Sequence, residues 1–247
     1  MISIYPDLEA LSWAAAGLFL ERAMLAIRER SRFSVALSGG STPQRTYQLL
    51  AAPPFREQVP WNQVYIFWGD ERCVPLDDPR SNANLAYENL LDRVPIPPRQ
   101  INPITCAGNP ERGAQEYERK LEEFFRGQAP RFDLIFLGLG RDGHIASLFP
   151  GMPVLAERKR WVSDVYVPGQ DSHRTTLTVP AINSAAAIVF LVSGEDKAEV
   201  LKRVHEPSGD RQRLPAQLVY PVDGELIWMA DSRAATMLNS DQEGILG

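Results

Sequence analysis

Apolar positions along the chain follow two periods. Leu8, Leu11, Ala15 and Leu18 recur at helical spacing, and Glu21, Arg22, Arg28, Glu29 and Arg30 collect at the end of the same segment, which predicts an amphipathic helix of about twenty residues. Residues 32–37 then read as a strand running into Ser38-Gly39-Gly40-Ser41-Thr42-Pro43, with helix-compatible residues 44–52 behind the proline. The order repeats: Val64–Trp68 is a short β-rich run ending in Gly69-Asp70-Glu71-Arg72, and residues 81–91 are helical in pattern, with Asp78 or Ser81 as the expected cap. Pro95, Pro97, Pro98 and Pro103 mark a loop, residues 110–126 a polar helix, and residues 132–137 a wholly apolar strand entering Gly138-Leu139-Gly140-Arg141-Asp142-Gly143-His144. Further strands are expected at 161–167, 174–179, 187–192 and 226–230, with a helix at 195–204.

Strand and helix alternate to the end without a long linker or an internal repeat. This predicts one α/β domain over residues 1–247, built on an open, mainly parallel sheet with helices on both faces. In such sheets ligands bind beyond the carboxyl ends of the strands. The polar turns above all follow strands, so they are expected to share one pocket.

Composition narrows the classes. With 26 Lys+Arg against 31 Asp+Glu the 247-residue chain has a net charge of -5, which argues against a general nucleic-acid binder. No continuous apolar run approaches the ~18 residues of a membrane span, and Asp7 and Glu9 precede the first apolar stretch where a signal peptide carries positive charge. A soluble, cytoplasmic protein is expected, monomeric by default. Cys73 and Cys106 lack a CxxC spacing and read as reduced thiols, and His144, His173 and His205 form no HxH or HExxH pair, so no metal site is expected.

Chemistry concentrates in the turns. Ser38 to Thr42 puts two glycines and two hydroxyl residues before a helix N-terminus, where free N–H groups and the helix dipole stabilise a phosphate; a simple N-capped turn is the plainer alternative. The turn lacks the Lys-Ser/Thr ending of a Walker loop. Gly138, Gly140 and Gly143 match GxGxxG in form, but Pro150-Gly151-Met152-Pro153 leaves no room for the long helix a dinucleotide site requires. His144, directly after that turn, suits general-base work because imidazole titrates near about 6.5. Asp142 is placed to orient the ring or cap the turn. Asp70 and Arg72 offer a carboxylate and a guanidinium on the same rim, Arg174 and Lys197 add positive charge, and Trp68 is expected to wall the pocket. Asp77 and Asp78 before Pro79 read as a turn and cap rather than a magnesium site.

Taken in order, Ser38-Gly39-Gly40-Ser41-Thr42-Pro43, Gly69-Asp70-Glu71-Arg72 with Val74-Pro75 and Asp78-Pro79-Arg80-Ser81-Asn82, residues 138–151, Arg174-Thr175-Thr176-Leu177-Thr178, Pro180-Ala181-Ile182-Asn183 and Gly194 with Lys197-Ala198 resemble the 6-phosphogluconolactonase family. That resemblance spans most of the chain. It implies a sugar-phosphate isomerase-like fold and hydrolysis of 6-phospho-D-glucono-1,5-lactone in the oxidative pentose phosphate pathway, without cofactor or metal. It further implies that Ser38, Gly39, Gly40, Ser41, Thr42, Arg72, Arg174 and Lys197 hold the phosphate and that His144 activates water. Asp70 then either holds sugar hydroxyls or keeps His144 in the right tautomer.

Two rivals remain. Glucosamine-6-phosphate deaminases resemble this chain in the SGG turn and the Gly-Asp-Gly-His turn, but carry Asn-Glu-Pro where Leu148-Phe149-Pro150 stands, so the glutamate assisting their histidine is missing. A non-catalytic sugar-phosphate sensor would bind without turnover; no basic helix-turn-helix segment accompanies this chain.

Overall fold

The longest apolar runs of the sequence become the centre of a parallel sheet. In the computed structural model, which describes residues 2–206, 214–238 and 243–244, the strands in chain order are β1 (Ile2–Tyr5), β2 (Phe33–Leu37), β3 (Val64–Trp68), β4 (Asp70–Arg72), β5 (Leu134–Leu137), β6 (Val162–Val167), β7 (Ser172–Leu177), β8 (Ala187–Val192), β9 (Glu225–Asp231) and β10 (Glu243–Gly244). The helices are α1 (Leu8–Arg30), α2 (Ser41–Leu50), α3 (Phe55–Gln58), α4 (Asn82–Asn89), α5 (Pro110–Phe124), α6 (Val179–Asn183) and α7 (Ala198–His205). Strands β2, β5 and β8 are buried at every residue, as strands covered on both faces must be.

The main sheet has seven strands in the order β10-β1-β9-β8-β5-β2-β3, and every pairing is parallel. Its winding reverses at β2, which pairs with β3 on one side and with β5 on the other. That reversal opens a crevice at the carboxyl ends of β2 and β5. Two sequence turns meet there, residues 38–42 after β2 and residues 138–144 after β5.

Helix α1 starts where the Asp7 side chain accepts from Ala10 N at 2.8 Å and ends at Ser31 in the left-handed region, φ 57°. Its Leu11, Ala15, Phe19 and Ala23 are buried, and Phe19 meets Phe33 of β2 edge-on with ring centroids 5.1 Å apart. By length and composition this helix is apolar enough to cross a membrane, although charged residues interrupt its apolar run. Its apolar stripe instead packs against α2, β2 and β9.

Three expectations are corrected. Residues 161–167 and 174–179 were expected in the main sheet, but β6 and β7 form a separate antiparallel sheet in the order β4-β7-β6, joined to Asp70–Arg72 as its third strand. Ser172–Leu177 is polar at every residue but the last, which does not suit the apolar, doubly covered interior of the main sheet. Cys73 and Cys106 are not free thiols: they are disulfide-bonded, because Cys73 directly follows β4 and Cys106 lies in the segment leading into α5, with Cα atoms 4.7 Å apart. Residues 195–204 divide into a 3-10 turn, Glu195–Lys197, and α7. Of the two expected caps on α4, Ser81 is the one used, its side chain accepting from Asn84 N at 3.1 Å.

Candidate active site

Two buried tyrosines finish the neighbouring strands β2 and β3. At the end of β2 the Tyr47 hydroxyl donates to Ser38 O at 2.7 Å and accepts from Ser38 N at 3.1 Å. At the end of β3 Tyr117 makes the same pair of bonds with Trp68, both at 2.9 Å. Each satisfies backbone groups at its strand's end, and burial pushes both phenols well above their usual pKa. Trp68 is therefore core, with no exposed surface; it does not wall the pocket as expected from its place in the sequence.

Beyond Ser38 the chain turns through Gly40, φ 100°, which occupies the N-cap of α2 without any side-chain capping bond. Only glycine adopts that conformation without strain. The first-turn N–H groups are thus uncapped, the arrangement that favours an anion. Gly39 is needed for a second reason: a Cβ there would lie 1.8 Å from Asn82 Oδ1.

A cavity of about 360 Å³ lies over these turns. Ser38, Gly39, Gly40, Ser41, Thr42, Asp70, Arg72, His144, Arg174 and Lys197 all line it. Arg72 and Arg174 stand directly opposite each other in the β4–β7 ladder, an unfavourable like-charge pair unless an anion joins them. Burial lowers the pKa of Arg174, while Asp70, whose Oδ2 is 3.8 Å from Arg174 Nη1, opposes that effect. Lys197 and Arg141 complete four cations against the two lining carboxylates Asp70 and Asp196. A locally cationic pocket in a chain of net charge -5 selects an anionic ligand.

At the other wall, His144 Nδ1 is 2.5 Å from Asp142 Oδ1, and the same oxygen accepts from His144 N at 3.2 Å. The ring stacks on Phe149 with centroids 4.2 Å apart. Burial raises the pKa of Asp142, but the hydrogen bond and charge of His144 outweigh it and hold the carboxyl below its usual value. Asp142 therefore fixes Nδ1 as the protonated nitrogen and leaves Nε2 as the acceptor. Asp70 is occupied elsewhere: its Oδ1 accepts from Asn82 Nδ2 at 3.1 Å and its Oδ2 from Ser147 Oγ at 2.6 Å.

The third rim comes from the turn after β8, where Asp231 of β9 accepts from Ser193 Oγ at 2.5 Å and from Gly194 N at 3.1 Å, setting the turn that carries Lys197. Several site residues escaped the sequence reading. Asn82 and Ser147 stand inside the quoted motifs, yet nothing in their spacing distinguishes them from ordinary turn residues. Glu71, given no separate role in the sequence, is 1% exposed and accepts from the N–H groups of Arg72, Asn82 and Ala83 and from Ser81 Oγ. Burial pushes its pKa up, against the pull of those donors.

A family model described as glucosamine-6-phosphate isomerases/6-phosphogluconolactonase matches residues 6–228. The chain belongs to the glucosamine-6-phosphate isomerase/6-phosphogluconolactonase family. Within this family it is similar to a 6-phosphogluconolactonase of Synechocystis sp., 43% identical over 90% of this chain and 94% of the relative. It is also similar to a 6-phosphogluconolactonase of Nostoc sp., 39% identical over 96% of this chain and 98% of the relative. Among solved structures, 6-phosphogluconolactonase from Trypanosoma brucei superposes with a TM-score of 0.85 at 27% identity, covering 97% of this chain and 98% of that one. Both curated relatives carry the lactonase name rather than the isomerase one.

Proposed function

We propose that this protein hydrolyses 6-phospho-D-glucono-1,5-lactone to 6-phospho-D-gluconate, with His144 as general base and the turn at residues 38–42 as the phosphate site. The observation that carries this reading is the Asp142–His144 pair at 2.5 Å facing the same cavity as the uncapped start of α2 and the Arg72–Arg174 pair. The phosphate binds at residues 38–42 with Arg72, Arg174 and Lys197, and its binding energy orients the ring. His144 Nε2 then takes a proton from water as the oxygen attacks C1. Asp142 stabilises the imidazolium, as a carboxylate does for a catalytic histidine. Collapse of the tetrahedral intermediate breaks the bond from C1 to the ring oxygen, and His144 returns the proton to that oxygen. A lactone needs no covalent nucleophile, and this route uses no cofactor or metal. In the same reading the enzyme is a cytoplasmic monomer acting on a small sugar phosphate, with no nucleic-acid or membrane partner.

Positioned acid–base catalysis contributes about 10²–10⁴-fold, so His144→Ala is expected to fold and to lose activity by about that factor. The lactone is generated in situ from glucose 6-phosphate and its loss followed against the spontaneous rate. No excess rate with the wild-type protein would overturn the lactonase reading; ammonia release from glucosamine 6-phosphate would then support the deaminase, and ligand binding without turnover a sensor.

A further inference from the structure

Side chains from two other segments donate to the Asp70 carboxylate. Asn82, at the start of α4, donates from Nδ2 to Asp70 Oδ1 at 3.1 Å and to Asp70 O at 2.9 Å. Ser147, three residues after His144, donates from Oγ to Asp70 Oδ2 at 2.6 Å. Asp70, Asn82 and Ser147 are 5%, 2% and 0% exposed, so these bonds are made away from bulk water, where loss of a partner is most costly.

The chain of contacts extends to both working turns. Two acceptors on Asp70 fix which end of the Asn82 carboxamide is nitrogen, and so direct its Oδ1 toward Gly39, occupying the space a Cβ would fill. Asn82 is itself held from behind, because its backbone N–H donates to Glu71 Oε1 at 2.7 Å. On the other side Ser147 follows Ala146, whose φ of 46° is unfavourable for a residue with a Cβ, and its N–H donates to Thr176 Oγ1 at 3.2 Å. The segment between His144 and Ser147 is thereby pinned at both ends, by Asp142 and by Asp70.

We infer that Asn82 and Ser147 are positioning residues that lock the phosphate turn and the His144 turn at a fixed separation through Asp70. The inference rests on the lactonase reading and adds to it the coupling between the two ends of the substrate. Phosphate binding accelerates hydrolysis only if the anchored phosphate holds C1 at the right distance from His144 Nε2. Without the Ser147–Asp70–Asn82 bridge the two turns still exist, but neither sets the other's position.

The test compares 6-phosphogluconolactone with the unphosphorylated gluconolactone in the wild type, Ser147→Ala and Asn82→Ala. Displacement of about 1 Å at a reacting centre costs about 10²-fold. Each variant should therefore lose kcat on the phosphorylated lactone by about that factor with little change in KM. Its rate on the unphosphorylated lactone should fall much less, so the ratio of kcat/KM between the two substrates collapses. A residue that merely supports the fold would lower the active fraction and scale both substrates equally, leaving the ratio and KM unchanged; that result overturns the inference. The variants act on opposite oxygens of Asp70, so if one fails to fold, as read by circular dichroism, the other decides. A wild-type protein without lactonase activity removes the functional reading itself, whereas an active wild type with unchanged ratios in the folded variants removes only the positioning role.

Discussion

Replacing Gly140 by alanine tests how far the Asp142–His144 pair depends on one missing methyl group. A Cβ built at this position lies 2.0 Å from His144 Nδ1, 2.2 Å from its Cε1 and 2.7 Å from Asp142 Oδ1. Since non-bonded heavy atoms settle at about 3.5–4.0 Å, the ring must retreat by roughly 1.5 Å. It has nowhere to go without leaving either Asp142, 2.5 Å away, or the face of Phe149. The backbone imposes no such penalty, because Gly140, unlike Gly143 at φ 83°, lies outside the left-handed region. Alanine restricts the unfolded chain and by itself stabilises by about 0.4–1 kcal/mol. Folding should thus be nearly unchanged while kcat falls about 10²-fold, equivalent to about 2.7 kcal/mol in the barrier. KM should move little, since the phosphate contacts lie on the opposite wall. The assay is lactone loss above the spontaneous rate, run on Gly140→Ala, His144→Ala and the double variant. If the glycine acts through His144, the double variant is no slower than His144→Ala alone. Wild-type kcat in Gly140→Ala, or a large further loss in the double variant, would refute the reasoning.

Two further outcomes are expected. Tyr47→Phe removes both partners of the buried Ser38 backbone groups and should cost about 1–3 kcal/mol, seen as a Tm lower by several degrees, with a raised KM because the phosphate turn loosens; an unchanged Tm would show that Ser38 finds other partners. Glu157 accepts from the N–H groups of Arg158, Lys159 and Arg160 and from Arg160 Nε, and these donors hold its pKa at about 2 rather than 4.5. A carboxylate depressed in the folded state stabilises above its unfolded pKa and loses that contribution as pH falls toward its folded one. Glu157→Gln should therefore melt below wild type at pH 7, with the gap closing between pH 4.5 and about 2; a gap independent of pH would contradict this.

The chemistry of the site was legible in the sequence because it is carried by turns, and turns announce themselves. Gly39 and Gly40 before Pro43, and Gly138 to Gly143 before His144, are composition signals that survive without knowledge of the fold. The apolar runs of β2, β5 and β8 were equally plain, since a strand covered on both faces contains little else. Periodicity, however, does not say which strands pair. It therefore left β6 and β7 in the main sheet, although their ladder with β4 is what sets Arg72 opposite Arg174. Nor does sequence separation show proximity: Cys73 and Cys106, 33 positions apart, meet only because β4 and the approach to α5 lie side by side. The burial of Trp68 is hidden for the same reason: Tyr117, which holds its backbone, comes from a helix far along the chain.

By itself, then, the sequence determined the element types, the parallel α/β class and the residues proposed to bind phosphate and move a proton, all properties of local pattern and side-chain chemistry. The tertiary structure decided which of them act together. It placed the reversal of strand order between β2 and β5, gave His144 to Asp142 rather than Asp70, and set Asn82 and Ser147 on the Asp70 carboxylate. Those choices depend on distances of a few ångströms between segments far apart in sequence, 77 positions for Asp70 and Ser147, which only the packed chain fixes.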